Sequence, residues 1–116
     1  MLNRGAVIVS LKQPYLDWAA GLDGSGVVPN SDEEQTVYLI PSYASEDEAW
    51  DILKEVYSEI FERELFAWHM DEAAWPKDRN FEMFKQWFRI EMHSFVEDLC
   101  DYEIVDEDDE VPPPLQ

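Results

Sequence analysis

The connection Trp68-His69-Met70-Asp71-Glu72-Ala73-Ala74-Trp75-Pro76-Lys77-Asp78-Arg79 brings an imidazole, several carboxylates, two indoles and two cations into twelve positions. A histidine oriented by Asp71 or Glu72 could take a proton from a substrate or water, as a small hydrolase would require. The same three side chains, His69, Asp71 and Glu72, are weak candidates for holding a divalent metal. The competing reading has Trp68 and Trp75 sealing one end of a core while the charged groups face water. A second constellation precedes it. Asp47, Asp51, Glu55 and Glu59 follow one another four residues apart, a row of like charges in which each step costs an isolated helix about 0.2–0.5 kcal/mol. Only Glu59 with Arg63 closes the row favourably. Such a ridge is either a solvated helix face or a docking face for a basic protein patch, and with Trp68 and Trp75 it makes up the expected partner-binding set.

Other groups carry less chemistry. His93 and Glu97 at helical spacing would offer two ligands on one face, but a structural zinc usually takes four, and Arg89 one turn earlier opposes a cation. Asp23, Ser25, Asn30 and Asp32 supply oxygens in a spacing that matches no calcium loop. Cys100 is the single cysteine, so no internal disulfide forms. Beside Asp98 and Asp101, at the end of an expected helix, its thiolate is disfavoured, and it reads as a small buried residue. Gly21, Gly24 and Gly26 follow a helix with no Lys-Ser/Thr pair after them, which is not a phosphate loop, and no G-x-S-x-G elbow occurs. No catalytic residue and no cofactor are assigned.

The elements that must position these groups follow from periodicity. Gly5–Leu11 is a short β-branched apolar run, a strand. Pro14 suits a first helical position, and Tyr15, Leu16, Trp18, Ala19 and Leu22 recur at helical spacing, with Gly21 as an expected left-handed stop. Residues 22–34 collect Gly, Pro, Asn and Ser and read as a loop. Thr36–Ile40 is a second strand, closed by Pro41. Ser45 with Glu48 forms a capping box ahead of a long helix whose stripe is Ala49, Leu53, Val56 and Ile60, ending near Phe66 to His69. Asn80 caps a final helix with the stripe Phe81, Phe84, Phe88, Met92, Phe95 and Leu99. Tyr102–Val105 is a candidate third strand. The expected fold is α+β, a two- or three-stranded sheet with one short N-terminal helix and two long C-terminal helices on one face. Residues 1–105 form the single expected domain, and Asp106–Gln116, rich in acid and proline, a disordered tail.

The stretches RGAVIVSLKQPYLDWAAGL, QTVYLIP and WFRIEMHSFVEDL resemble an uncharacterised family of small acidic bacterial proteins. The resemblance implies a bacterial cytosolic protein and brings no catalytic residue with it.

The chain has 116 residues, with 27 acids against 8 bases and a formal charge of −19. That balance argues against direct contact with nucleic acid, whose phosphates need clustered Lys and Arg, and against an anionic membrane surface. No apolar run approaches the roughly twenty residues of a spanning helix. Met1 to Arg4 lead straight into a strand, so no secretory signal is read and cytoplasmic residence is expected. With 46% apolar residues and five Trp, a core can form. The expected function is that of a noncatalytic acidic binding protein engaging a basic surface of another protein, on the electrostatic principle used by immunity proteins and nucleic-acid mimics. The alternative is a small hydrolase or metal-dependent enzyme centred on His69, Asp71 and Glu72. Composition leaves the oligomeric state open.

Overall fold

In a computed structural model, which describes residues 1–107, the first apolar run forms β1 (Arg4–Leu11) and the second forms β2 (Thr36–Pro41). Between them lies the short helix α1 (Gln13–Ala20), with a proline in its first turn. Gly21 ends α1 in right-handed geometry, φ −85°, so the expected left-handed stop is absent there. The left-handed glycines are Gly24 and Gly26 in the following loop. The long helix α2 (Glu46–Trp68) starts where the capping box places it. Ser45 Oγ accepts from the Glu48 amide at 3.2 Å, while the Glu48 carboxylate reaches back one residue further, to the Ala44 amide at 3.3 Å. A single 3-10 turn at Glu72–Ala74 then leads to α3 (Phe81–Trp87), capped by Asn80.

The last element departs from expectation. In place of a long helix running to Leu99, α3 stops at Trp87 and the chain extends directly into β3 (Phe88–His93). The segment Phe88-Arg89-Ile90-Glu91-Met92-His93 alternates apolar and polar residues, which is strand periodicity. Phe84, Phe88 and Met92 fit a helical stripe as well, because a spacing of four is twice the strand period of two. Tertiary pairing decided between the two. β3 adds antiparallel to β1, from Ala6 opposite His93 to Leu11 opposite Phe88. The third strand is thus Phe88–His93, and Tyr102–Val105 is not a strand. Phe95 and Leu99, expected in the core, are 79% and 97% exposed, and Cys100, expected to be buried, is exposed. The reading of an acidic disordered tail falls mostly on residues 108–116, outside the described residues.

The architecture is α+β: three helices and a three-stranded antiparallel sheet in the order β2-β1-β3. Val7 and Val9 on β1 lie opposite Tyr38 and Thr36 on β2 and opposite Met92 and Ile90 on β3, defining the covered face. That face packs on Leu53, Ile60, Phe61 and Leu65 of α2 together with Tyr15 of α1 and Phe84 of α3. Aromatic rings run through this core without a break, from Trp18 to Tyr15, Phe88, Phe61, Phe84 and Phe81, neighbouring centroids being 5.2–6.2 Å apart. Such pairs add about 0.5–1.5 kcal/mol each beyond area burial. A Cβ at Gly5 would stand 2.6 Å from the Tyr43 ring, so a larger residue there has to displace that ring. On the opposite face Val37 and Leu39 are exposed and Ile8 is half-buried.

Candidate functional site

On α2 the apolar residues Ala49, Leu53, Ile60, Phe61 and Leu65 turn inward, leaving the acids on the outer surface. Asp47, Asp51, Glu55 and Glu59 are all exposed and, at four-residue spacing, lie along one helix face. The row is not electrically uniform. Glu59 Oε1 accepts from Arg63 Nη2 at 3.0 Å and Nε at 3.3 Å, and the adjacent Glu62 is bridged to Arg79 at 3.2 Å. Arg79 in turn lies over the Phe61 and Trp75 rings. Among the described residues no cation pairs with Asp47, Asp51 or Glu55. The nearest basic residue in sequence, Lys54, has its ammonium 5.9 Å from the centre of the Phe81 ring. The first half of the ridge therefore presents charge to solvent that the second half largely neutralises.

Neither of the indoles expected to assist this ridge is fully exposed. Trp75 is only 7% exposed and belongs to the core, its Nε1 donating to the His69 carbonyl at 2.8 Å. Trp68 is half-buried against the same core. A docking role for an exposed Trp75 is corrected accordingly. Its long bicyclic side chain closes the lower end of α2, where the turn after His69 folds back.

Nor do His69, Asp71 and Glu72 converge. His69 caps the C-terminus of α2, and Asp71 Oδ1 accepts from the Ala73 amide at 3.0 Å as the cap of the 3-10 turn. Glu72 is exposed in that turn. His69 instead shares a cleft of about 380 Å³ with Asp23 and Ser25 of the first loop. Those two are engaged locally, Asp23 Oδ1 accepting from the Ser25 amide and Ser25 Oγ from the Val27 amide. Hydrogen bonding from Ser25 holds the exposed Asp23 carboxyl below its usual range. Asn30 likewise accepts from the Asp32 amide. His93 ends β3 beside Glu91 at 3.5 Å, away from the expected helical pairing with Glu97. Among the described residues no three His, Cys, Asp or Glu side chains come together as a metal site.

A different acid was missed by reading the sequence. Glu64, on the inward side of α2, is 6% exposed. Its Oε2 accepts from Thr36 Oγ1 at 3.1 Å and from Tyr38 OH at 3.2 Å, and the Tyr15 hydroxyl donates to its backbone carbonyl. Burial pushes the Glu64 carboxyl above the usual carboxylate range, against the pull of the two hydroxyls, with Glu34 adding in the same direction. The phenols of Tyr15 and Tyr38 are pushed up by burial and by the charge of Glu64. The one available signal was that Glu64 falls on the core stripe beside Ile60, Phe61 and Leu65. Its hydroxyl partners come from α1 and β2, too far along the chain for spacing to connect them.

Glu64 also marks a groove. Tyr38, Leu39 and Ile40 of β2 and Glu59, Ile60 and Arg63 of α2 line a cleft of about 210 Å³. A wider one, about 680 Å³, continues from it past Thr36, Glu64, Phe66 and Ala67. Comparison with known proteins finds no matching family model, no matching curated protein and no matching solved structure. No helix among the described residues is long and apolar enough to cross a membrane.

Proposed function

We propose that this protein is a noncatalytic binding protein that engages a basic surface of another protein, with the first half of α2 as its electrostatic face. The observation that carries this reading is the exposed set Asp47, Asp51 and Glu55, with no cation paired to any of them among the described residues. The chain as a whole carries −19, so its field draws cationic partners and repels nucleic acid. Charges of this kind act chiefly on the rate of encounter and on choice of partner, and their effect falls as salt rises. Glu59 belongs to the ridge in position but contributes less, because Arg63 already satisfies it. Trp75 is left out of the contact surface by its burial.

The test uses a partner captured from native lysate at low salt and then purified. Replacing Asp47, Asp51 and Glu55 by Asn, Asn and Gln should slow association about tenfold at low ionic strength and flatten its dependence on salt. An equal change of charge at Asp23, Asp32 and Glu33 should do much less. Equal effects from both triples, or none from the first, would remove α2 as the docking face.

A further inference from the structure

The two edges of the sheet are built differently. β3 alternates Arg89, Glu91 and His93 along its open face, with Arg89 and Glu91 paired at 3.1 Å, and charge of this kind is how natural sheets discourage added strands. β2 carries none. Its residues are Thr36-Val37-Tyr38-Leu39-Ile40-Pro41, in a chain of which 30% is charged. Val37 and Leu39 are 59% and 48% exposed on the uncovered face. Among the described residues the β2 backbone makes no hydrogen bonds besides its ladder with β1. On its other face the strand borders the groove against α2, which follows it from Ile40 back to Thr36.

We propose that β2 takes an extended cationic segment of a partner protein as a fourth strand, seated along the groove between β2 and the second half of α2. A five- or six-residue strand reaches about 17–20 Å and would present alternate side chains to the two faces. Those on the groove side pass the exposed carboxylates of Glu59 and Glu62, each bridged to one arginine, Arg63 or Arg79, within a chain of net charge −19, so lysine or arginine suits them. Those on the other side lie next to Val37 and Leu39, so apolar residues suit them. Backbone bonds to the edge give affinity and the alternating positions give selectivity. A second copy of the chain would offer the same uncharged strand but bring −19 against −19, and charge complementarity therefore selects a basic occupant. The inference rests on the reading that the partner is basic, and it assigns that partner a second point of contact, away from Asp47, Asp51 and Glu55.

The probe is a capped heptapeptide of alternating lysine and valine, added to the isotope-labelled full chain and followed by amide resonances and hydrogen exchange. Amides of residues 36–40 that exchange freely in the isolated chain should become protected. N-methylation of the peptide on alternate residues, which keeps its charge and side chains, should weaken binding about tenfold when the methylated edge faces β2, as expected for one or two lost hydrogen bonds. A glutamate-valine peptide should not bind. Equal affinity of both N-methylated isomers and the parent would overturn strand addition. So would protection of every residue 36–40 amide before any probe is added; sedimentation would then say whether a second copy or the chain's own C-terminal stretch fills the edge. The variant D47N/D51N/E55Q separates the two ideas. If it still gains the strand while losing its natural partner's fast association, both stand. If the peptide adds as a strand while the natural partner associates with that variant as fast as with the parent, the ridge fails alone; if the partner's association slows and the peptide does not add, strand addition fails alone.

Discussion

The two halves of α2 are made from similar residue types and do opposite work. Its first half holds Asp47, Asp51 and Glu55 in water without cationic partners among the described residues. Its second half pairs Glu59 with Arg63 and Glu62 with Arg79, and folds Glu64 beneath β2 with two hydroxyls on one oxygen. The difference teaches that an acid's role is set by what the rest of the chain brings to it. Arg79, Thr36 and Tyr38 are all distant in sequence, and all arrive at the second half. Among the described residues no cation or hydroxyl from a distant segment reaches the acids of the first half. One helix thus combines a charged outer flank with a polar anchor to the sheet.

The contrast can be broken most severely from the inside. Phe61 is fully buried among Phe84, Trp87 and Phe88, so Phe61→Ala should cost about 3–5 kcal/mol in urea unfolding. Asp51→Ala, ten residues earlier on the exposed face, should stay within about 0.5 kcal/mol. Equal losses would mean that the ridge is structural after all.

Glu64 supplies the next effect. Replacing it with Leu strands the Tyr38 and Thr36 hydroxyls beside an apolar group, and a loss of about 1–3 kcal/mol is expected. Glu64→Gln keeps an acceptor for both and isolates the charge. Because burial raises the folded-state value above the ordinary 4.5, folding favours the protonated carboxyl. Its stabilising effect is complete below about pH 4.5 and fades as pH climbs through the raised value. Thermal unfolding across that range should therefore show Glu64→Gln losing less stability towards neutral pH than the parent does. A parallel decline in both proteins would mean that Glu64 does not titrate in a buried setting.

The smallest effect sharpens the comparison within the ridge itself. Asp51→Asn with Glu55→Gln removes repulsion and should stabilise slightly, by about 0.2–0.5 kcal/mol per relieved pair at low salt and less at high salt. Glu59→Gln breaks its pair with Arg63 and should destabilise by a similar amount. The same sign from both would erase the distinction between paired and unpaired acids.

Much of the scaffold is legible in the chain. The β-branched runs locate β1 and β2, and Ser45 with Glu48 locates the start of α2, because these signals are local: alternation, turn chemistry and a cap within four residues. The acidic row is legible for the same reason, since a fixed helical spacing places its members without reference to anything distant. The end of the molecule is not. Phe84, Phe88 and Met92 satisfy two periods at once, and only the vacancy beside β1 turns Phe88–His93 into a strand, leaving Phe95 and Leu99 outside.

The candidate site divides along the same line. Types and spacing alone determined the net charge, the exposed carboxylates of early α2 and the uncharged composition of β2. Tertiary structure decided that Trp75 is a core residue, that His69 stands apart from Asp71 and Glu72, that Glu64 is a buried acid, and that β2 is an edge. The physical reason is range. Helix and strand periods act over a few residues, whereas burial and sheet position arise only when segments tens of residues apart compete for the same apolar surface and the same backbone hydrogen bonds.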